Sequence, residues 1–312
     1  MPLRLPDKLP AIKLLEDENI FVIDETRGHS QDIRTLRLAI LNLMPIKVTT
    51  ETDLIRLLSN TPLQIDVTFM KLKSHTSKNT PIEHMKQFYI PFDELRNRKF
   101  DGLIVTGAPV EGMAFEEVNY WQEISDIFTW ARTNVTSTLY ICWAAQAALY
   151  YFYNVPKYAL EKKKFGVFTQ TINPQYENSH LFRGFDSVFA MPHSRHTENR
   201  KEDILKVPEL SILAESSESG PSVMMARRGR EIFVTGHMEY NPDTLDTEYR
   251  RDLGKRSDVE LPKNYYIDND PSKGPLVTWR AHANLFYHNW INYYIYQRTP
   301  YDINKISFDM EY

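Results

Sequence analysis

The stretch from Ser137 to Gln146, Ser-Thr-Leu-Tyr-Ile-Cys-Trp-Ala-Ala-Gln, carries an apolar strand straight into an alanine-rich helix. Cys142, the only cysteine among 312 residues, sits at the joint. A strand that becomes a helix without a loop needs small residues just past the corner, and Ala144 and Ala145 supply them. A side chain at such a corner stands clear of the sheet. The first N–H groups of the new helix have no intrahelical acceptor, so they favour a thiolate over a thiol. The competing interpretation is a buried cysteine that only fills space.

A corner of this kind belongs to a sheet with parallel strands, and the chain before it has the required rhythm. Leu36 to Leu43 is a nearly continuous apolar run, suited to a strand covered on both faces. The spacing predicts a helix over Thr49 to Asn60, with Leu54, Leu57 and Leu58 on one face. Leu63 to Met70 alternates as a second strand, and Phe100 to Val105 forms a third, ended by Thr106-Gly107-Ala108-Pro109. Residues 71–98 are polar and read as a loop region in which Thr80-Pro81 marks a helix start. Trp121, Ile124, Phe128 and Ala131 recur at helical spacing before the strand that ends at Cys142.

Past Tyr153 the pattern predicts short strands at 162–167, 188–192, 210–215, 223–226 and 231–235, with a turn over 227–230. Helices follow at 244–254 and 279–296. The fold class expected is α/β, a mostly parallel doubly wound sheet with helices on both faces. The organisation expected is an N-terminal arm over 1–34, a single α/β domain over 35–300 and a tail over 301–312.

A net charge of −4 gives no general attraction to nucleic acid or to anionic membrane. One cysteine excludes an internal disulfide and a cysteine-based zinc cluster, and fits a reducing compartment. No stretch approaches the roughly 20 apolar residues of a membrane span, and Met1-Pro2-Leu3-Arg4-Leu5-Pro6 lacks the apolar core of a leader. A cytoplasmic location is therefore expected. His193 and His196 lack a third ligand at suitable spacing, so no metal is assigned to them.

Gly236-His237-Met238-Glu239-Tyr240 ends the last predicted strand, on the sheet edge where Cys142 should lie. Catalytic groups of open α/β sheets gather at the carboxyl ends of strands. A histidine base held by a carboxylate would complete a Cys-His-Glu triad on a nucleophile elbow with sulfur as the nucleophile.

The elbow with a late His-x-Glu resembles class I glutamine amidotransferase-like domains. Within that superfamily the chain is similar to homoserine O-acyltransferases of the homoserine O-succinyltransferase type. The matching stretches are Leu41 to Lys47, Thr106 to Pro109, Cys142-Trp143, Pro192 to Arg195, Thr235 to Tyr240, Trp279-Arg280 and Asn289 to Tyr294. Met238 departs from the usual proline, and Ala144 from a common glycine; neither removes a reacting atom.

The resemblance implies a ping-pong transfer with no cofactor, in which Cys142 takes the acyl group from an acyl-CoA co-substrate and L-homoserine receives it, in methionine biosynthesis. His237 is then the base and Glu239 its support. Lys47 and the Trp143 backbone N–H are implied to stabilise the oxyanion, although Lys47 taken alone reads as a surface lysine. Arg251 is implied to hold the homoserine carboxylate, with Lys163 and Ser194 lining the pocket. Read alone, Arg251 pairs on a helix surface with Glu248 or Asp252. Glutamate at Glu111 goes with acetyl rather than succinyl transfer in this family, so acetyl-CoA is the expected donor and succinyl-CoA the alternative. The resemblance also implies a homodimer. Hydrolysis of glutamine, and a catalytically silent binding protein on the same scaffold, remain alternative functions.

Overall fold

The computed structural model describes residues 3–5, 9–17, 22–24, 34–75, 79–255 and 259–310. In chain order, β1 (Leu3–Leu5), α1 (Pro10–Asp17) and β2 (Val22–Asp24) come before β3 (Leu36–Leu41), α2 (Lys47–Leu58) and β4 (Ile65–Lys71). Next come α3 (Ile82–Phe88), β5 (Tyr89–Pro91), the single turn α4 (Phe92–Leu95), β6 (Phe100–Val105), α5 (Trp121–Asn134), β7 (Val135–Ile141) and α6 (Trp143–Tyr153). The second half holds β8 (Tyr158–Ile172), β9 (Val188–Glu198), the turn α7 (Lys201–Ile204), β10 (Ser211–Ser216), β11 (Gly220–Ala226) and β12 (Glu231–Val234). It closes with α8 (Thr244–Leu253) and α9 (Arg280–Asn289), which continues as a π-helix over Trp290–Tyr296.

The strands among the described residues form one sheet in the order β2-β1-β4-β3-β6-β7-β12-β11-β10-β8-β9, with β5 added beside β4. From β2 to β12 every pairing is parallel. From β12 outward to β9 every pairing is antiparallel. Side chains alternate across the sheet, so Leu38 and Ile40 of β3 join one core cluster while Ala39 and Leu41 join the other. α2 and α9 cover the first face; α5 and α6 cover the second. Trp290, fully buried on the first face, donates its indole N–H to Ser137 Oγ at 3.0 Å, so its polar atom is satisfied.

Two sequence expectations need correction. Residues 71–98 are not a plain loop, because α3, β5 and α4 lie there. The segments expected as short strands near 162 and 188 are β8, of 15 residues, and β9, of 11. Both carry polar residues on a half-exposed antiparallel ribbon, which hides their length from a search for apolar runs.

Gly166 of β8 has φ +140°, and a Cβ there would stand 2.3 Å from the Lys263 carbonyl oxygen. This close approach lets Val167 N–H donate to Lys263 O at 2.8 Å and Lys263 N–H donate to Phe165 O at 2.9 Å, tying residues 259–263 to the sheet. Gly166→Ala is expected to lower the unfolding free energy by about 2–4 kcal/mol. Urea denaturation measures it; a loss under about 0.5 kcal/mol, the range of neutral surface changes, would contradict the packing.

Candidate active site

The active corner begins with register. β7 and β12 run side by side with Val234 opposite Ile141, so the residues that follow each strand emerge together. Cys142 N–H donates to Val234 O at 2.7 Å, which fixes the corner to the neighbouring strand. The chain then turns abruptly into α6, with Cys142 at φ +53° and ψ −116°. Positive φ is uncommon for a residue with a side chain and marks strain. Ala144 and Ala145 are fully buried behind it. Gly107, at the end of β6, permits the approach from the other side, since a Cβ there would lie 3.2 Å from Cys142 Cβ.

Thr235 to His237 cross the end of the sheet, and His237 N–H donates to Pro192 O of β9 at 2.8 Å. The imidazole Nδ1 lies 2.6 Å from Glu239 Oε1, and the Tyr240 ring stacks on it at 4.0 Å between centroids. A methyl at Gly107 would be 3.7 Å from both Cys142 Sγ and His237 Cε1, so thiol and imidazole flank one point. Burial, the largest single influence on His237, opposes its charged form. The charges of Cys142 and Glu239 and hydrogen bonds to both outweigh it, leaving the pKa well above the ordinary value.

One cavity of about 520 Å³ holds Cys142, His237, Glu111, Lys163, Ser194 and Arg251 on its walls. Glu239 stands behind His237. The Trp143 ring is buried against Phe115 and Tyr120, while its amide, the first N–H of α6, has no intrahelical acceptor. Lys47 lies behind Met44 and is only 5 % exposed, its ammonium donating to the carbonyls of Asn42 and Met44. Burial lowers its pKa to about 8, with Glu51 partly offsetting the effect. It is not on the cavity wall, and it is not the surface lysine it seems in isolation.

Glu111 Oε2 accepts from His196 N–H at 2.9 Å, which holds that carboxylate against β9. Arg251 pairs with Asp252 at 2.9 Å. Glu248, Arg251, Asp252 and Lys255 all face the cavity, a stripe at helical spacing along and just past α8. Glu248 was missed as a site residue, although it bonds to Lys163 at 3.2 Å, to the Ser194 hydroxyl and to the Tyr240 hydroxyl at 3.2 Å. Its spacing to Arg251 was the available signal.

The family profile described as homoserine O-succinyltransferase matches residues 2–301. The chain belongs to that family. It is 67 % identical over 307 residues to the homoserine O-acetyltransferase of Bacteroides thetaiotaomicron, covering 98 % of this chain and 100 % of the relative. It is 58 % identical over 305 residues to the homoserine O-acetyltransferase of Brevibacillus brevis, covering 98 % of this chain and 99 % of that one. The fold is similar to a crystal structure of a glutamine amidotransferase from Thermotoga maritima, with TM-score 0.51 and 12 % identity over 83 % of this chain and 98 % of that one. The sheet is thus of the class I glutamine amidotransferase-like kind. No helix among the described residues is long and apolar enough to cross a membrane.

The raised His237 pKa has a sign that can be tested. Stability linked to this group is fully present below the unfolded value, about 6.5, and is lost as pH rises through the higher folded value. Nitrogen-15 NMR of the imidazole is expected to find it still protonated at pH 7, and Glu239→Gln should lower its pKa. A neutral ring at pH 7 would refute this electrostatic account.

Proposed function

We propose that the protein is a homoserine O-acetyltransferase that works through an acyl-thioester on Cys142. The observation that carries this reading is a cysteine at a helix N-terminus beside a buried, carboxylate-held histidine, in a cavity that also presents cations and carboxylates. The names of its relatives, at 67 % and 58 % identity, favour the same donor.

In the first half-reaction the Cys142 thiolate attacks the thioester carbonyl of acetyl-CoA, and the Trp143 N–H receives the developing oxyanion. The carbon–sulfur bond to coenzyme A breaks, and the departing thiolate takes a proton from the His237 imidazolium. In the second, neutral His237 removes the proton of the homoserine hydroxyl as its oxygen attacks the acetyl-enzyme. Collapse of the tetrahedral species returns the Cys142 thiolate and leaves the imidazolium. Glu239 holds Nδ1 throughout, so Nε2 faces the reacting atoms. Lys47, kept on its carbonyls, would contribute charge from behind the Met44 wall rather than by contact.

Homoserine carries both charges. Arg251 offers its guanidinium to the carboxylate, while Glu248, with Lys163 and Ser194 bonded to it, offers an anion near the ammonium. Glu111 supports acetyl over succinyl: its carboxylate is fixed at the cavity wall, where the terminal carboxylate of a succinyl group would meet like charge.

Intact-mass measurement after mixing with acetyl-CoA in the absence of homoserine should find one acetyl group added, and none in Cys142→Ala. An adduct that persists in Cys142→Ala would remove the cysteine from the mechanism. Glu111→Gly is expected to shift the ratio of kcat/KM values towards succinyl-CoA by about tenfold or more, equivalent to about 1.4 kcal/mol. Unchanged selectivity in paired rate assays would remove Glu111 from donor choice.

A further inference from the structure

A second cavity, of about 500 Å³, opens beside the first and shares Lys163, His196 and Asp252 with it. Lys162, Lys164 and Lys263 line it, together with the apolar side chains of Phe165, Phe168 and Leu261. Three consecutive lysines on one cavity are not what a regular strand provides, because alternate side chains point to opposite faces. β8 is irregular here: its pairing with β9 shifts register between Ala159 and Lys164. Such a bulge re-aims side chains and is favoured beside sites. The tight Gly166 contact brings Lys263 to the same place.

The ammonium groups are held by weak partners. Lys162 pairs with Glu260 at 2.6 Å, the two side chains being 77 % and 69 % exposed. Lys263 pairs with an exposed Glu218, and Lys164 donates to the Glu218 carbonyl. Exposed pairs of this kind contribute little to stability, so the lysines can exchange these partners for another anion. Position also decides. The lysine and arginine side chains of the first cavity, Lys163, Arg251 and Lys255, come from β8 and from the end of α8 and beyond, whereas the Met44, Pro45, Ala108 and Pro109 part of its wall is uncharged.

We propose that the second cavity binds the phosphate-bearing nucleotide end of the acyl donor, with Lys162, Lys164 and Lys263 on the phosphates and the apolar side chains against the adenine. This rests on the acyl-CoA reading above. The pantetheine arm then passes Lys163 and His196, which belong to both cavities, to bring the thioester to Cys142. Glu260 and Glu218 are displaced from their lysines when the phosphates arrive.

The test uses the triple variant Lys162→Ala/Lys164→Ala/Lys263→Ala and two donors, acetyl-CoA and the acetyl thioester of N-acetylcysteamine, which lacks the nucleotide. The KM for acetyl-CoA should rise about tenfold or more, while kcat/KM for the truncated donor moves by less than about twofold, a ratio that general damage to the fold would not produce. Equal changes for both donors, or none for either, would overturn the proposal. Calorimetric titration with adenosine 3′,5′-bisphosphate needs no turnover and separates the two readings. Binding by the native protein that weakens in the variant supports the subsite even if acetyl transfer fails, and absence of binding by the native protein sinks the subsite even if acetyl transfer succeeds. Should the triple variant not fold, Lys162→Ala alone, at the most exposed of the three ammonium groups, carries the same comparison.

Discussion

Cys142 holds φ +53° in a region that costs a residue with a side chain on the order of 1–3 kcal/mol. Its N–H is taken by Val234 O and its carbonyl by Gln146 N–H, so the strand before it and the helix after it pull in fixed directions. Ala144, Ala145, Ala147 and Ala148 are all fully buried, which lets α6 lie directly on the sheet. The strain is spent on direction. The corner points the sulfur into the cavity where His237 already stands, although neither side chain is near the other in sequence.

The sheet divides the work. Its parallel half builds the Cys142 corner, because parallel strands deliver β6, β7 and β12 to one edge with their carboxyl ends together. Its antiparallel half builds the walls: β8 supplies Lys163, and β9 supplies Ser194 and the N–H of His196. Beyond the β12–β11 pairing that joins the halves, the His237 N–H bond to Pro192 O ties the imidazole's own backbone to the strand that carries the wall. Tyr240 closes the connection. Its ring lies on His237 and its hydroxyl reaches Glu248, so the imidazole and the α8 wall of the cavity share one side chain.

The central parallel strands were legible because buried parallel strands are largely apolar, as Leu36 to Leu41 and Phe100 to Val105 are apart from Arg37 and Asp101, whereas the three-residue strands β1 and β2, inside the expected arm, and β5 are too short to carry such a run. The antiparallel ribbon was not. β8 carries Glu161 to Lys164 on a half-exposed, bulged strand, so its length has no apolar signature. The errors around Lys47 are coupled. With residues 71–98 read as loop, nothing in the sequence placed His84 and Tyr89 beside Glu51, yet His84 Nε2 lies 2.9 Å from Glu51 and the Tyr89 hydroxyl donates to it. That buried polar network begins one helical turn beyond Lys47 and makes a buried lysine tolerable there. The stripe of Glu248, Arg251, Asp252 and Lys255 was readable in spacing but not in partner: Arg251 does pair with Asp252, whereas Glu248 turns to Lys163 and Ser194, contacts that depend on the tertiary fold.

Glu111 is anchored apart from the Cys142 corner. Its carboxylate crosses from the loop after β6 and is caught by the backbone of His196, while its own carbonyl accepts from Lys157 at 2.6 Å. None of these atoms takes part in the strain at Cys142 or in the His237–Glu239 bond. A change at this position can therefore alter the charge on the cavity wall and leave the geometry of Cys142 and His237 untouched. Cys142 and His237 are fixed by strand register and helix start, and the Glu111 side of the cavity by a loop carboxylate that the register does not need.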